Sequence, residues 1–462
     1  MHKKVLPKKG KTFFVKDIFC YICDLKPLEM KRILHGLLAL SPVVVLLVVY
    51  LLMSIASGDF YRISISVAFV VAAIYAIVVL RGISRSLQER IGVFSEGASD
   101  KNIMYMIWIF VLAGIFAVMA KQMGAVDATV QFTMNFVPPK LLPAGIFLAA
   151  CFVSLSIGTS VGTIVALTPV VAGLAPQIGV DTAQMVAIVV GGAFFGDNLS
   201  FISDTTIAAT MSQGCKMKDK FRTNLLIVLP AALLSLGLYL FLGLSGGAET
   251  IESASAAEWY KAIPYLLVLV CAIAGVEVLT VLVLGVISTI IIGLSCGSLT
   301  IVTFCESAGK GVLDMGELII ITLMAGGLMN MVKCGGGFEF ITRIITRSVS
   351  GRRGAESAIA GLTFLTDICT ANNTIAIITV GPIARDLSER YGVSPRKSAS
   401  LMDTASCFAQ GVLPYGAQLL MASGLAAISP IEIIPHLYYP MAIGVMVVLA
   451  IVFQFPRIKD NK

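Results

Sequence analysis

Apolar runs of about 20 residues recur along this 462-residue chain, from residue 33 to residue 455. A run of that length crosses the ~30 Å hydrocarbon core of a bilayer as an α-helix. The composition agrees, because 57% of the residues are hydrophobic and only 13% are charged, against about 25% charged in a soluble domain. The sequence therefore predicts an all-α polytopic membrane protein that has the lipid bilayer as its surroundings.

The distribution of lysine and arginine predicts the topology, because basic breaks between spans are expected in the cytoplasm. Residues 1–32 are lysine-rich and lack the apolar core of a secretory signal, so they are predicted to form a retained cytoplasmic tail. The net charge of +7 then reflects topology, and no nucleic-acid partner is expected.

The remaining polar breaks follow the same rule, and both termini are predicted to be cytoplasmic. The other breaks placed inside are 81–101, 216–222, 333–353, 385–397 and the C-terminus. The breaks placed outside are 58–62, 121–140 and the acidic stretch 245–260.

Two pairs of similar stretches indicate an internal duplication. TSVGTIVAL at 159–167 matches TANNTIAII at 370–378. In the same order, GDNLS at 196–200 lies near MDTAS at 402–406. The two offsets, 211 and 206 residues, are similar enough to favour a single duplication.

The repeats are predicted to comprise residues 33–244 and 261–456, joined by the acidic extracytoplasmic linker 245–260. Each is expected to contain three spans, a re-entrant hairpin, a broken span and a final span. Because five crossings is an odd number, the two repeats must have opposite orientations. Inverted repeats whose interrupted helices meet near the midplane are typical of secondary transporters.

The second hairpin follows from chain length. Residues 357–384 join two basic breaks in only 28 residues, whereas two full crossings need about 40. Its polar tip is tolerated at membrane depth only where protein or water surrounds it. By the repeat, the first hairpin is expected at 141–178, and the broken spans are expected at 184–214 and 399–430.

Polar side chains cluster at the predicted interruptions. An ionised carboxylate at the bilayer centre costs about 2.5 kcal/mol or more, so such residues usually face the bundle interior and mark an ion or proton route. Hard cations take oxygen ligands. The candidate ion- or substrate-binding residues are Thr159, Ser160, Thr163, Asp197, Asn198, Ser200, Ser203, Asp204, Thr205, Thr206, Asp367, Thr370, Asn372, Asn373, Thr374, Asp403, Thr404, Ser406 and Gln410. The candidate Na⁺ ligands among them are Asp197, Asp204, Asn373 and Asp403.

A carboxylate that holds either Na⁺ or H⁺ gives exchange directly, because the two ions compete for it. The alternative for the serine, threonine and asparagine side chains is that they bind helices to one another, as is common in membrane bundles. Glu277 is expected to be a solvated turn residue, and Lys333 is expected to be a cytoplasmic anchor. No GxxxxGK[ST] loop is present, which argues against an ATP-driven pump.

GDNLSFISDTT at 196–206 and GTSVGT at 158–163 resemble motifs of the NhaC-type Na⁺/H⁺ antiporters, whose patterns are close to GDxxSPxSDTT and GTSxGT. Phe201 stands where that family has proline. The resemblance extends over most of the chain beyond the tail. It implies a fold with paired hairpins and broken helices, often dimeric, in a bacterial cytoplasmic membrane.

Two functions remain open. The first is a Na⁺/H⁺ antiporter that extrudes Na⁺, with Asp197 and Asp204 as leading carriers and Asp403 as their repeat counterpart. The alternative is Na⁺- or H⁺-coupled transport of a small organic anion or amino acid, because relatives in the family carry such solutes. No cofactor is expected beside the transported Na⁺ and H⁺. An enzyme is disfavoured, because spacing places no nucleophile, base and orienting residue together.

Overall fold

The computed structural model describes residues 27–57, 65–245, 258–347 and 349–456, and all regular structure within these ranges is helical. The predicted basic tail and acidic linker lie largely outside them. Eight helices in the described part are long and apolar enough to cross a membrane, or nine if a bent pair counts as one span. The predicted class, an all-α multi-pass membrane protein, is confirmed.

The described residues before the linker form ten helices. A short 3-10 turn, Pro139–Leu141, precedes the sixth of them. The helices are α1 (Pro27–Ser57), α2 (Ile65–Val79), α3 (Leu87–Ala98), α4 (Lys101–Met123), α5 (Ala125–Phe136), α6 (Leu142–Ile157), α7 (Ser160–Gln177), α8 (Thr182–Leu199), α9 (Asp204–Gln213) and α10 (Met217–Ser245).

In the second half, residues 258–347 and 349–456 form eleven helices. Two 3-10 turns, Trp259–Ala262 and Ile434–His436, precede the first and the last of them. The helices are α11 (Ile263–Ile273), α12 (Val278–Ser295), α13 (Ile301–Asp314), α14 (Gly316–Cys334), α15 (Gly337–Arg347), α16 (Gly351–Thr370), α17 (Asn373–Tyr391), α18 (Pro395–Val412), α19 (Ala417–Ala426), α20 (Pro430–Ile433) and α21 (Tyr438–Val452).

Four helix interruptions lie at the predicted tips and breaks. In the first half, Gly158 and Thr159 separate α6 from α7, and residues 200–203 separate α8 from α9. In the second half, residues 371–372 separate α16 from α17, and residues 413–416 separate α18 from α19. Each pair of interruptions therefore consists of a two-residue turn followed by a four-residue break. The re-entrant course of the hairpins and the opposite orientation of the repeats stay predictions.

Local chemistry accounts for these interruptions. Gly158 has φ +77°, which glycine adopts without steric cost. Pro414, between α18 and α19, has no N–H and cannot continue the hydrogen bonding of the helix. The α8 break needs no proline: Ser200 is extended and its Oγ donates to the carbonyl of Leu155, while Phe201 stacks on Phe221.

Several predicted loops are helical. The basic break 81–101 contains α3, the stretch 121–140 contains α5, and 333–353 contains α15. The arms of the second hairpin extend from 351 to 391, well beyond the predicted 357–384, because their charged residues pair along the helix. Arg385 with Glu389 is one such pair, spaced four residues apart.

The helix that carries GDNLS, α8, lies at the centre of the molecule and is buried along nearly its whole length. It packs closely against α6 through two glycines four residues apart, Gly192 and Gly196. A Cβ at Gly196 would lie 2.4 Å from the backbone nitrogen of Leu155 and 2.6 Å from the carbonyl oxygen of Cys151. Small residues at this spacing allow helix backbones in a membrane to approach closely.

Replacing Gly196 by valine is expected to force α8 away from α6, because backbone atoms occupy the space that the side chain needs. Overpacking of this kind costs about 1–3 kcal/mol. Thermal unfolding of the purified protein measures the loss. Gly237→Val is the matched control, since a Cβ at that exposed helical glycine meets nothing within 4 Å. Equal melting temperatures for the two variants would contradict the packing argument.

Candidate functional site

A cavity of about 470 Å³ lies between the tips of the two hairpins and the two breaks. It is lined from both halves of the chain. Residues from the first half include Thr159, Ser160, Asp197 and Asp204, and residues from the second half include Asn373, Thr374, Gln410 and Gln418. The structure thus brings to one space side chains from the two halves that are 169 to 259 residues apart in sequence.

Asp197 is the buried carboxylate of this cavity, with only 3% of its surface exposed. It lies in the last turn of α8. Ser160 donates to Oδ2 and Ser203 donates to Oδ1, each at 2.7 Å. Gln418 in turn donates to Ser160 at 3.1 Å. The charge of Asp197 is therefore met by hydroxyl groups, with no described lysine or arginine in contact.

Asp204 is the second carboxylate of the cavity, and it is exposed to that space. As the first residue of α9 it benefits from the positive end of the helix dipole. Thr374 donates to its Oδ2 at 2.7 Å. This hydrogen bond joins the first broken helix to the tip of the second hairpin, across 170 residues.

Asp403 lies elsewhere, in a buried ion pair with Lys220 of α10. Lys220 also donates to the carbonyl of Asn198 at 2.6 Å and to Thr206 at 3.0 Å. Thr206 donates to the same Asp403 oxygen at 3.2 Å. The side chains of Lys220 and Asp403 are 1% and 0% exposed. Asp403 is thus compensated within the protein, unlike Asp197 and Asp204.

A buried amide and hydroxyl network surrounds this ion pair. Asn224 accepts hydrogen bonds from Ser400 at 2.6 Å and from Thr404 at 2.8 Å, and it contacts Asn198 at 2.5 Å. These contacts fasten α8, α10 and α18 to one another. The predicted residues Asn198 and Thr404 therefore bind helices together, one layer behind the cavity.

Asp367 and Gln410 form a third polar group. Gln410 donates to Oδ1 of Asp367 at 2.7 Å, and both side chains are buried. Among the residues that the structure describes, neither Oδ2 of Asp367 nor Oε1 of Gln410 has a hydrogen-bond partner.

Four predicted residues satisfy backbone carbonyls with their hydroxyl groups. Thr163 donates to Thr159, Thr370 donates to Asn372, and Ser406 donates to Asp403. Ser200 donates to Leu155. Asn372 caps α17 by accepting from the N–H of Ile375 at 2.9 Å.

Four residues whose side chains belong to these networks were absent from the prediction, namely Lys220, Asn224, Ser400 and Gln418. Lys220 belongs to the basic break 216–222 predicted from the sequence, but its side chain is buried in the first turn of α10. The helical periodicity of the sequence could have identified Lys220 and Asn224 as buried, because they share a helix face with the buried Ile227 and Ala231.

Glu277 and Lys333 were weaker candidates. Glu277 is exposed just before α12, as expected of a turn residue, but it lines the cavity and accepts from Tyr105 at 2.6 Å. Lys333 is exposed in the last turn of α14. It lines a smaller cavity of about 140 Å³ beside the second tip, together with Thr370 and Asn372.

The donor set of the main cavity fits a small hard cation. Carboxylate, hydroxyl and amide oxygens are the ligands that such ions prefer. Within the described ranges no group of three or more His, Cys, Asp or Glu side chains is arranged as a metal centre. A monovalent ion needs no such group, and here it would be cargo.

The protein has many membrane-spanning helices, and a polar cavity with carboxylates lies between interrupted helices. This arrangement is typical of membrane transporters. A family model described as the Na⁺/H⁺ antiporter family matches residues 23–244 and 250–455. The chain belongs to that family, which is one of secondary antiporters. The resemblance to NhaC-type antiporters found in the sequence is confirmed.

Characterised relatives share about a fifth of the sequence. The Na⁺/H⁺ antiporter NhaC of Alkalihalophilus pseudofirmus is 22% identical over 72% of this chain and 78% of its own. An arginine/ornithine antiporter, ArcD of Halobacterium salinarum, is 22% identical over 77% of this chain and 80% of its own. A malate-2H⁺/Na⁺-lactate antiporter of Bacillus subtilis is 20% identical over 72% of this chain and 78% of its own.

One solved structure, the YdaH transporter of Alcanivorax borkumensis, is similar at 13% identity and a TM-score of 0.38. The match covers 79% of this chain and 88% of that one.

Proposed function

We propose that this protein exchanges cytoplasmic Na⁺ for external H⁺ at Asp197 and Asp204. The observation that carries the proposal is the cavity itself, which unites two carboxylates of one broken helix with hydroxyl groups from both hairpin tips. The names of the NhaC relatives support the choice of ions.

The hydroxyl groups around Asp197 suit either ion. A serine hydroxyl is both a donor and an acceptor. When the carboxylate is empty, Ser160 and Ser203 donate to it, as they do here. When Na⁺ enters, the same hydroxyls can rotate and present their lone pairs to the cation. A proton on Asp197 removes the charge that holds Na⁺, and this competition couples the two fluxes.

Lys220 limits how many carboxylates are free to bind ions. Asp403 is neutralised by Lys220, so the two cavity carboxylates are left to Na⁺ and H⁺. In this proposal Asp403 and Lys220 are a fixed support for the broken helices. Asp403, the repeat counterpart of Asp197 and Asp204 and a candidate Na⁺ ligand, therefore has a structural role in this proposal.

In the predicted topology the part of the cavity at the start of α4 lies toward the cytoplasm, and we propose that the cavity opens there. Asn102 and Tyr105 line it at the start of α4, directly after a basic break expected inside. The described conformation is then the one that loads cytoplasmic Na⁺. We further propose that the protein lies in a bacterial cytoplasmic membrane with both termini inside, and that it forms a homodimer.

A second candidate function is exchange of a small organic anion or amino acid. The smaller cavity favours it, because Lys333 and the N-terminal end of α17 both offer positive charge to a carboxylate there. Two relatives of this chain are named as antiporters of organic solutes.

Reconstitution into liposomes with an internal pH dye tests the choice between these functions. Na⁺ alone is expected to drive proton movement, without any organic solute. Asp204→Asn is expected to abolish that movement, because asparagine can still accept the hydrogen bond from Thr374 but has no negative charge to hold Na⁺ and cannot take up the proton. Malate, lactate, arginine and ornithine are then added in turn. Proton movement that requires one of these solutes would replace the antiporter with the second candidate.

A further inference from the structure

Glu277 is a third carboxylate of the main cavity, and the proposed exchange at Asp197 and Asp204 does not use it. It is the residue just before α12, and it lines the same space as those two aspartates. Among the described residues that line this cavity, none is a lysine, an arginine or a histidine. Three carboxylates therefore share one space that has no basic side chain on its wall.

Tyr105 holds Glu277 at the end of the cavity where α4 begins. The phenol hydroxyl donates to Oε1 of Glu277 at 2.6 Å, and the hydroxyl of Thr280 donates to Oε2 at 3.2 Å. The first of these contacts joins α4 to the turn between α11 and α12, across 172 residues. Hydroxyl groups thus fix both carboxylate oxygens, although Glu277 is an exposed residue.

Glu277 keeps its negative charge at neutral pH. The hydrogen bond from Tyr105 is the main cause that lowers the pKa of Glu277 below its usual value. A carboxylate with a lowered pKa stays ionised at neutral pH and does not take up a coupling proton there. The contribution of Glu277 to transport is therefore a constant charge, whereas the carrier carboxylates must bind Na⁺ and H⁺ in turn.

We propose that Glu277 is a selectivity residue at the entrance of the main cavity, where its fixed charge draws Na⁺ toward Asp197 and Asp204. Tyr105 is a positioning residue, because it holds the carboxylate of Glu277 in place. Glu277 adds no further ion, since Na⁺ passes it and is held by the two aspartates. This inference rests on the proposed function, because it concerns how the same cavity collects its cargo.

The number of charges in the cavity sets the size of the expected effect. A cleft lined by one sign of charge raises the local concentration of the opposite ion by about 10- to 1000-fold, so one charge in three corresponds to about two- to tenfold. The effect also depends on salt, because the Debye length falls from about 30 Å at 0.01 M ionic strength to about 3 Å at 1 M. A hydrogen bond that merely supports the turn has no such dependence.

Two single variants separate the charge of Glu277 from its hydrogen bond. Glu277→Gln removes the charge, but its amide oxygen still accepts from Tyr105. Tyr105→Phe removes the hydrogen bond and keeps the charge. A structural role for Glu277 predicts the larger loss in Tyr105→Phe, whereas the proposed role predicts the larger loss in Glu277→Gln. Glu96→Gln is the matched control, because Glu96 is exposed on α3, on the same predicted side of the membrane, and does not line the cavity.

Equilibrium binding of radioactive Na⁺ to the purified full-length protein tests the proposal, with N-methyl-D-glucamine chloride setting the ionic strength. At about 0.01 M ionic strength, Glu277→Gln is expected to weaken Na⁺ binding by about two- to tenfold, and at about 1 M the difference should vanish. The number of ions bound per chain should stay that of the wild type, which also shows that the variant is folded. Glu96→Gln is expected to match the wild type, and Tyr105→Phe is expected to lose less affinity than Glu277→Gln.

The outcomes separate this inference from the proposed function. If Glu277→Gln bound Na⁺ as tightly as the wild type at low ionic strength, or lost the same affinity at both ionic strengths, the role of Glu277 would be overturned and the roles of Asp197 and Asp204 would stand. If Glu277→Gln bound Na⁺ more weakly at low ionic strength only, but Na⁺ drove no proton movement in liposomes with the wild type, the role of Glu277 would be supported and the exchange rejected. Absence of Na⁺ binding by the wild type would overturn both.

Discussion

Asp197→Asn is expected to abolish Na⁺-dependent proton movement in liposomes. The substitution keeps the shape of the side chain but removes the buried charge that Ser160 and Ser203 surround. Truncating one partner of a buried charged interaction costs about 2–5 kcal/mol, which is roughly 30-fold or more in affinity. Because asparagine cannot take up the coupling proton, we expect exchange to fall to background even at saturating Na⁺.

Asp386→Asn is the control for this experiment. That carboxylate is 53% exposed and pairs with Arg390 on the surface of α17, so its loss should leave exchange unchanged. If Asp197→Asn and Asp386→Asn exchanged Na⁺ for H⁺ equally well, the role given to Asp197 would be wrong.

The second large effect is expected at Lys220. Replacing it by methionine leaves Asp403 buried without its cation, and breaking such a pair costs about 3–5 kcal/mol. Lys218→Met, an exposed position on the same turn of α10, is the control and should cost little. Stability is measured by reversible unfolding of the purified protein in mixed micelles of increasing SDS content.

The double variant Lys220→Met with Asp403→Asn separates charge from packing. Because it removes both charges, it should recover most of the stability that Lys220→Met loses. A double variant as unstable as the single one would show that Lys220 acts through packing alone. The proposed support role also requires that the double variant retain Na⁺ binding.

The helix interruptions were predictable because their causes are local. Gly158 permits a positive φ and Pro414 lacks a backbone N–H, so each of these residues can end a helix by itself. The polar residues at each tip, such as Thr159 and Asn372, are costly in lipid and so had to mark a protein-lined or wet interior. The length of the segment 357–384 located the second hairpin, and the repeated spacing then located the first hairpin from it.

The partners of the site residues were not predictable, because they depend on distant parts of the chain. Asp403 meets Lys220 across 183 residues, and Lys220 lies in KMKDK, which resembles an ordinary cytoplasmic loop. The repeat suggested that Asp403 matches Asp197 in role. In the structure Asp403 pairs with Lys220, whereas Asp197 accepts hydrogen bonds from Ser160 and Ser203. Positions related by the repeat therefore have different electrostatic surroundings.

The extra helices were missed for a different reason. Helix α15 carries Glu339, Arg343 and Arg347 on one side and buries Phe338, Phe340 and Ile341. Counting charges placed this segment in a loop, whereas its period shows a helix with one apolar face. The charge of a segment indicates the side of the membrane on which it lies, whereas its hydrophobic periodicity indicates its secondary structure.

The most direct test of competition between Na⁺ and H⁺ is proton release when Na⁺ is added to the purified protein in weakly buffered detergent solution. A pH indicator reports the released protons. The account predicts release from the wild type and none from the double variant Asp197→Asn with Asp204→Asn. Na⁺ binding to the wild type with no proton release, or equal release from the double variant, would contradict it.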